Sequence, residues 1–208
     1  MRASLPFVIA FALLSSSCNS LWYTLGVEKR ALLVERVEEA RAEQAEAKET
    51  FQTTFDAFKE LTGHDGGELE SLYEKLAGNL DDCKDSAAAV TKRIDKIESV
   101  SEDLFAEWTD EIAQISNPDM RRDSEKMKGE TERDYQQLVG AMRKAEGRMA
   151  PVLTAFNDQV LYLKHNLNAR AIASLENQVV EIQGNVANLI EEMQKSIEEA
   201  DTFIASMK

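Results

Sequence analysis

Apolar residues recur at steps of three and four along most of the chain, which is the period of a helix that buries one face. The clearest run lies between residues 69 and 115 and continues for about seven heptads. Its members are Leu69, Leu72, Leu76, Leu80, Cys83, Ala87, Val90, Ile94, Ile97, Ser101, Leu104, Trp108, Ile112 and Ile115. We call such an apolar stripe along one face of a helix a seam. A seam of this length predicts coiled-coil-like packing against neighbouring helices.

The same spacing predicts three further helices. The first runs from Val27 to about Leu61, with its seam at Val34, Val37, Arg41, Gln44, Lys48, Phe51, Phe55 and Phe58. The third runs from Pro118 to about Lys164, with its seam at Met120, Met127, Tyr135, Leu138, Met142, Met149, Val152, Phe156, Val160 and Leu163. The fourth follows through Ile172, Leu175, Val179, Ile182, Val186, Leu189, Met193, Ile197, Ala200 and Ile204.

Short breaks separate these helices. Adjacent glycines interrupt the chain at Gly63-His64-Asp65-Gly66-Gly67, and Asn117-Pro118 combines a capping residue with a proline at the first helical position. His165-Asn166-Leu167-Asn168 is a weaker turn. Short connections place successive helices antiparallel. The sequence therefore predicts an all-α fold, an elongated up-down antiparallel bundle of about four long helices, as a single domain over residues 26–208.

Two further features refine this bundle. Pro151 is expected to kink the third helix, because its ring removes one backbone hydrogen bond. Folding at Asn117-Pro118 is expected to set basic residues of the third helix beside acidic residues of the second. The predicted partners are Arg121, Arg122, Lys126 and Lys128 on one side and Glu102, Asp103, Glu107 and Asp110 on the other.

The N-terminus has the features of an export signal. Arg2 supplies a positive charge, and Leu5 to Leu14 is an apolar stretch that is too short to span a bilayer. Small residues then precede Cys18, as in bacterial lipoproteins, which predicts a signal peptide over 1–17 and an acyl group on Cys18. The alternative is an ordinary signal peptide, cut near Ser17 or Ser20. Residues 18–25 are interpreted as a tether between anchor and bundle.

The acidic composition limits the classes of partner that the protein is expected to bind. The formal net charge is −14, so the chain is not expected to bind nucleic acid or to reach a membrane by charge alone. An acylated Cys18 would instead supply the membrane contact, and Asn19 after it favours the outer membrane over inner-membrane retention. Cys83 is then the one remaining thiol. It is expected to be buried, with a disulfide to a second chain as the alternative.

Motifs for catalysis are absent from the sequence. The chain has two histidines, His64 and His165, and neither completes the Glu-x-x-His pattern of a di-iron bundle. A structural zinc site, a phosphate-binding loop and a nucleophile elbow are equally unsupported. We therefore expect a non-enzymatic protein without metal or cofactor.

Two features remain as candidate sites. Hydrogen-bonding side chains concentrate at one bundle end, where His165, Asn166, Asn168 and Arg170 form either a binding patch or a set of helix caps. Lys208 is the second candidate, since the lipoprotein that links outer membrane to cell wall has an acyl cysteine, a long helix and a terminal lysine joined to peptidoglycan. The resemblance to that protein is one of arrangement only.

Two stretches resemble a bacterial family catalogued as domain of unknown function 2959. They read GVEKRALLVERVEEARAEQAEAKETF at 26–51 and MRKAEGRMAPVLTAFNDQVLYLKHNLNARAIASL at 142–175, with a weaker match between them. The resemblance implies a helical, often exported protein and transfers no activity, substrate or catalytic residue.

The sequence thus favours a lipid-anchored periplasmic adaptor that presents an acidic rod to a protein or cell-wall partner, with oligomers left open. One alternative is a peptidoglycan tether through Lys208. Another is a ligand-sensing bundle with a pocket where Pro151 bends the third helix.

Overall fold

The computed structural model describes residues 18–63 and 69–208. This part of the chain folds into the helices α1 (Cys18–Thr62), α2 (Leu69–Gln114), α3 (Pro118–His165) and α4 (Ala169–Met207). The all-α prediction is confirmed, and the helices break where the sequence predicts. The signal peptide expected over 1–17 and positions 64–68 of the glycine turn lie outside the described residues.

The helices form a closed four-membered ring in cross-section, because α1 and α3 each pack against both α2 and α4. Their directions follow from the contacts that join them. Along α1, Arg30 donates to the Met207 carbonyl at 2.9 Å, and Lys48 donates to Gln194 at 2.9 Å, so α1 and α4 run antiparallel. Contacts between α1 and α2, between α2 and α3, and between α3 and α4 show that these pairs are antiparallel as well. The bundle is therefore up-down.

This topology gives the rod two distinct ends. The proximal end holds the start of α1 and the turn between α2 and α3, whereas the distal end holds the turn between α3 and α4. At 1.5 Å per residue, the 45 residues of α1 span roughly 68 Å.

The core follows the predicted seams most closely in α2 and α4. Buried α2 residues are Leu76, Leu80, Cys83, Val90, Ile94, Ile97, Ser101, Leu104 and Ile112. Buried α4 residues include Ile172, Leu175, Ile182, Val186, Leu189, Met193, Ala200 and Ile204. Because one continuous core joins all four helices, each helix depends on its neighbours for stability.

The seam of α1 differs from the prediction in its middle. Arg41 and Lys48 were expected in the seam but lie half-buried at its flank, while Ala40 and Ala47 are fully buried beside Gln44. Small side chains let α1 approach its neighbours closely, and the long charged side chains reach water at the edge. α1 also begins at Cys18 rather than near Val27, so residues 18–25 are helical.

Met120 and Met127 do not belong to the core, which corrects the predicted seam of α3. Their exposed fractions are 61% and 54%. Buried positions of α3 begin at Tyr135 and continue to Leu163. The helix continues through Pro151, and the kink at that proline stays a prediction.

The predicted ion pairs between α2 and α3 are also wrong. The basic residues pair along α3 itself, where Arg122 contacts Asp119, Lys126 contacts Glu130 and Lys128 contacts Glu132. Arg121 donates to the Ile115 carbonyl. The α2–α3 contact is instead made by the Arg143 guanidinium with Asp95 and Glu98, and by Trp108 Nε1 donating to Ser124 Oγ at 3.0 Å.

Candidate functional site

The turn at the distal end is built by two asparagine caps. Asn166 ends α3: its backbone N–H donates to the Leu163 carbonyl at 3.1 Å, and its side-chain amide donates to Tyr162 O at 2.9 Å. Asn168 begins α4, where its side-chain oxygen accepts from the backbone N–H groups of Arg170 and Ala171. Both asparagines therefore have a capping role.

The other side chains of this turn face solvent. His165 and Arg170 are exposed, whereas Leu167 packs partly against the core. Two exposed apolar residues lie beside them, Leu161 and Tyr162, with exposed fractions of 57% and 43%. We call Leu161, Tyr162, His165 and Arg170 the distal patch.

The distal patch combines an imidazole, a guanidinium and two apolar side chains. Leu161 and His165 are four residues apart, so they share one face of α3. Tyr162 reaches α4, where its hydroxyl lies 3.2 Å from Ser174 Oγ. Sequence reasoning missed Leu161 and Tyr162, although apolar residues outside the three-four seam could have drawn attention to them.

Lys208 lies away from the distal end. Its Nζ is 3.4 Å from Glu38 Oε1, and the side chain is 66% exposed. The contacts of Met207 with Arg30 and of Lys208 with Glu38 place it about 12 to 20 residues of α1, or roughly 18 to 30 Å, from the level of Cys18. The structure therefore separates Lys208 from the distal patch by most of the bundle length.

Cys83 is buried between α1 and α2, as predicted. Its side chain is fully buried, and Sγ lies 3.0 Å from the Thr54 hydroxyl. Burial raises the pKa of the thiol to about 11, since a thiolate would lose its hydration. Cys83 is thus a structural cysteine.

We expect the folded protein to protect this thiol from alkylation. With a pKa near 11, only about one thiol in a thousand is ionised at pH 8, so Cys83 should react with maleimide at least about a hundredfold more slowly than an exposed thiol. Cys18→Ala removes the other cysteine, and adding Thr53→Cys supplies an exposed control on α1. Equal rates at Cys83 and at the Thr53→Cys site would contradict this burial.

A groove of about 450 Å³ lies between α1 and α2. It is lined by Glu46, Glu49, Thr50, Thr53, Thr54, Asn79, Asp82, Asp85 and Ser86. Within residues 18–63 and 69–208, no three His, Cys, Asp or Glu side chains are grouped to hold a metal ion. We interpret the groove as acidic surface and assign no ligand to it.

No helix in the described part of the chain has an apolar stretch long enough to cross a membrane. Cys18 is the first residue of α1, and its side chain lies outside the described part. Its acylation stays a prediction.

Comparison with known families decides the relationship that the sequence suggests. Residues 20–207 match the family described as "Protein of unknown function (DUF2959)". The chain belongs to this family. The match covers all of α2, α3 and α4 and nearly all of α1, so the family corresponds to the whole bundle. No curated protein and no solved structure matches the chain.

Proposed function

We propose that this protein is an exported, lipid-anchored adaptor of the periplasm, held at the outer membrane through an acyl group on Cys18. It acts without catalysis, as a rigid spacer that presents a binding surface away from the membrane. The observation that carries the proposal is the up-down topology, in which α1 starts at one end and the distal patch lies at the other. An anchor at Cys18 would hold that patch roughly 70 Å from the bilayer.

The chemistry of the distal patch supports contact with a partner. Arg and Tyr are enriched in protein interfaces, because they combine apolar area with directional hydrogen bonds. His165 and Arg170 also give the patch basic groups on a chain whose net charge is −14. A partner with carboxylate or phosphate groups and an apolar contact would suit it.

The peptidoglycan tether through Lys208 is less well supported than the adaptor. A staple needs its attachment point far from the anchor, and the up-down fold returns Lys208 to within roughly 30 Å of the Cys18 level. The ligand-sensing alternative needs an internal pocket near Pro151. Val152 and Phe156 are both fully buried there, which counts against such a pocket.

Crosslinking in cells tests the adaptor role of the distal patch. A photoreactive amino acid at position 161 should capture a specific partner, and His165→Ala with Arg170→Ala should lower that yield at least about tenfold, the effect of losing an interface contact worth about 1.4 kcal/mol. Lys84→Ala with Gln178→Ala removes two exposed polar side chains elsewhere and should leave the yield unchanged. If the crosslinking yield were the same with and without the patch substitutions, the adaptor role of the distal patch would be contradicted.

A further inference from the structure

We propose that the proximal end of the bundle carries a membrane-docking face, formed by Met120 and Met127, that contacts the surface of a phospholipid bilayer. This inference rests on the proposed anchor at Cys18, which would bring the proximal end to the membrane. It adds a second contact, which would restrict how the rod tilts on its anchor.

The first observation is the unusual exposure of these methionines. Met120 and Met127 have exposed fractions of 61% and 54%, whereas the methionines at 142, 149, 193 and 207 are all buried. They are seven residues apart, so they lie on the same face of α3. Two exposed methionines on one helix face can enter the headgroup region of a bilayer together.

Helix α4 does not cover this part of α3. Gln137 donates to Glu199 of α4 at 2.8 Å, which fixes the relative level of the two antiparallel helices. α4 continues from there for about eight residues, to Met207. Met207 therefore lies about level with Gly129, and Met127 and Met120 lie beyond it.

The same segment lies at the level of the proposed anchor. Lys29 of α1 pairs with Glu107 of α2 at 3.1 Å, and these helices run antiparallel. Going toward the proximal end from this pair, α1 reaches Cys18 after about eleven residues and α2 ends at Gln114 after about seven. Cys18 and the turn that leads into Met120 are thus within roughly 10 Å of one another along the bundle axis.

The charges around Met120 and Met127 are compatible with a lipid surface. Basic residues surround the methionines, namely Arg121, Arg122, Lys126 and Lys128. Asp119, Asp123 and Glu125 alternate with them, so the segment is nearly neutral on a chain of net charge −14. The Arg122 and Lys126 side chains are both 74% exposed and long enough to meet lipid phosphates while the methionines enter the headgroup region.

Photo-crosslinking of the full chain tests the docking face. The protein is produced with a diazirine analogue of methionine, extracted from membranes, and reconstituted in vesicles of phosphatidylethanolamine and phosphatidylglycerol. Leu161→Met supplies the matched control, because Leu161 is 57% exposed at the distal end. Positions 120 and 127 should form at least about tenfold more lipid adduct than position 161, which lies roughly 50 to 60 Å further along α3.

Each outcome has a distinct meaning when the intact mass of the same sample is also measured. Acylated protein without adducts at 120 and 127, or with equal adducts at 161, overturns the docking face and leaves the anchor standing. Adducts at 120 and 127 on unacylated protein support the face and overturn the anchor. If positions 120 and 127 crosslink to a second copy of the chain and not to lipid, the methionines form a dimer contact, and the membrane-docking face is overturned.

Discussion

Replacing Phe58 by alanine is expected to lower the free energy of unfolding by about 3–5 kcal/mol, the usual loss when a fully buried aromatic side chain leaves a cavity. Phe58 is 0% exposed and belongs to a cluster on the last turns of α1. The other members of that cluster are Phe51, Phe55 and Leu61. Dense packing leaves little freedom for neighbours to fill the space.

Urea unfolding followed by circular dichroism measures this loss. The midpoint should fall while the slope with denaturant stays constant. Leu161→Ala is the control, because this side chain is 57% exposed and its loss should change stability by less than about 0.5 kcal/mol. If Phe58→Ala were no more destabilising than the control, the core of α1 would have to be reassigned.

Replacing Ser196 by alanine should cost about 1–3 kcal/mol, far more than the small change in side-chain volume suggests. Ser196 Oγ donates to Gln44 Oε1 at 2.8 Å, and both residues are fully buried between α1 and α4. Gln44 Nε2 has no hydrogen-bond partner among the described residues. Ser196→Ala would therefore leave the whole Gln44 amide unpaired in the core.

A double-mutant cycle separates this effect from packing. Gln44→Met combined with Ser196→Ala removes both polar groups and should restore stability to about the wild-type value or above, because no buried polar atom of the pair is then left unsatisfied. The same urea titration applies. Strictly additive losses in the double variant would show that the Gln44–Ser196 hydrogen bond contributes nothing.

The sequence predicts the helices and their connections because the signals are local. Gly63 lies directly after α1, and Asn117 and Asn168 cap the helices that follow them. The α2 seam can also be predicted from the sequence, since its apolar residues recur every three or four positions with charged residues between them. In α1 the prediction assigned Arg41 and Lys48 to the seam, because alanines carry too weak an apolar signal to mark the core at Ala40 and Ala47.

The errors in α3 come from interactions between distant parts of the chain. Met120 and Met127 fit a buried spacing, but burial also needs a neighbouring helix at that level. The interhelical ion pairs failed for a related reason. Acidic residues on α3 itself, such as Glu130 and Glu132, lie one turn from the lysines and pair with them.

For the candidate sites, the sequence predicts residue roles only where the chemistry is local. The capping of α3 and α4 by Asn166 and Asn168 follows from residue type and position. The contribution of Leu161 and Tyr162 to the distal patch does not, since it depends on which side of α3 remains uncovered. The distance between Lys208 and the distal patch likewise follows from topology and from no single motif.

The intact mass of the native protein, extracted from its membrane fraction, tests the lipid-anchored bundle most directly. We expect a chain that begins at Cys18 and carries added acyl groups, with no muropeptide on Lys208. A chain that begins elsewhere and carries no lipid would contradict the anchor, and with it the role of the proximal end as the membrane-facing end.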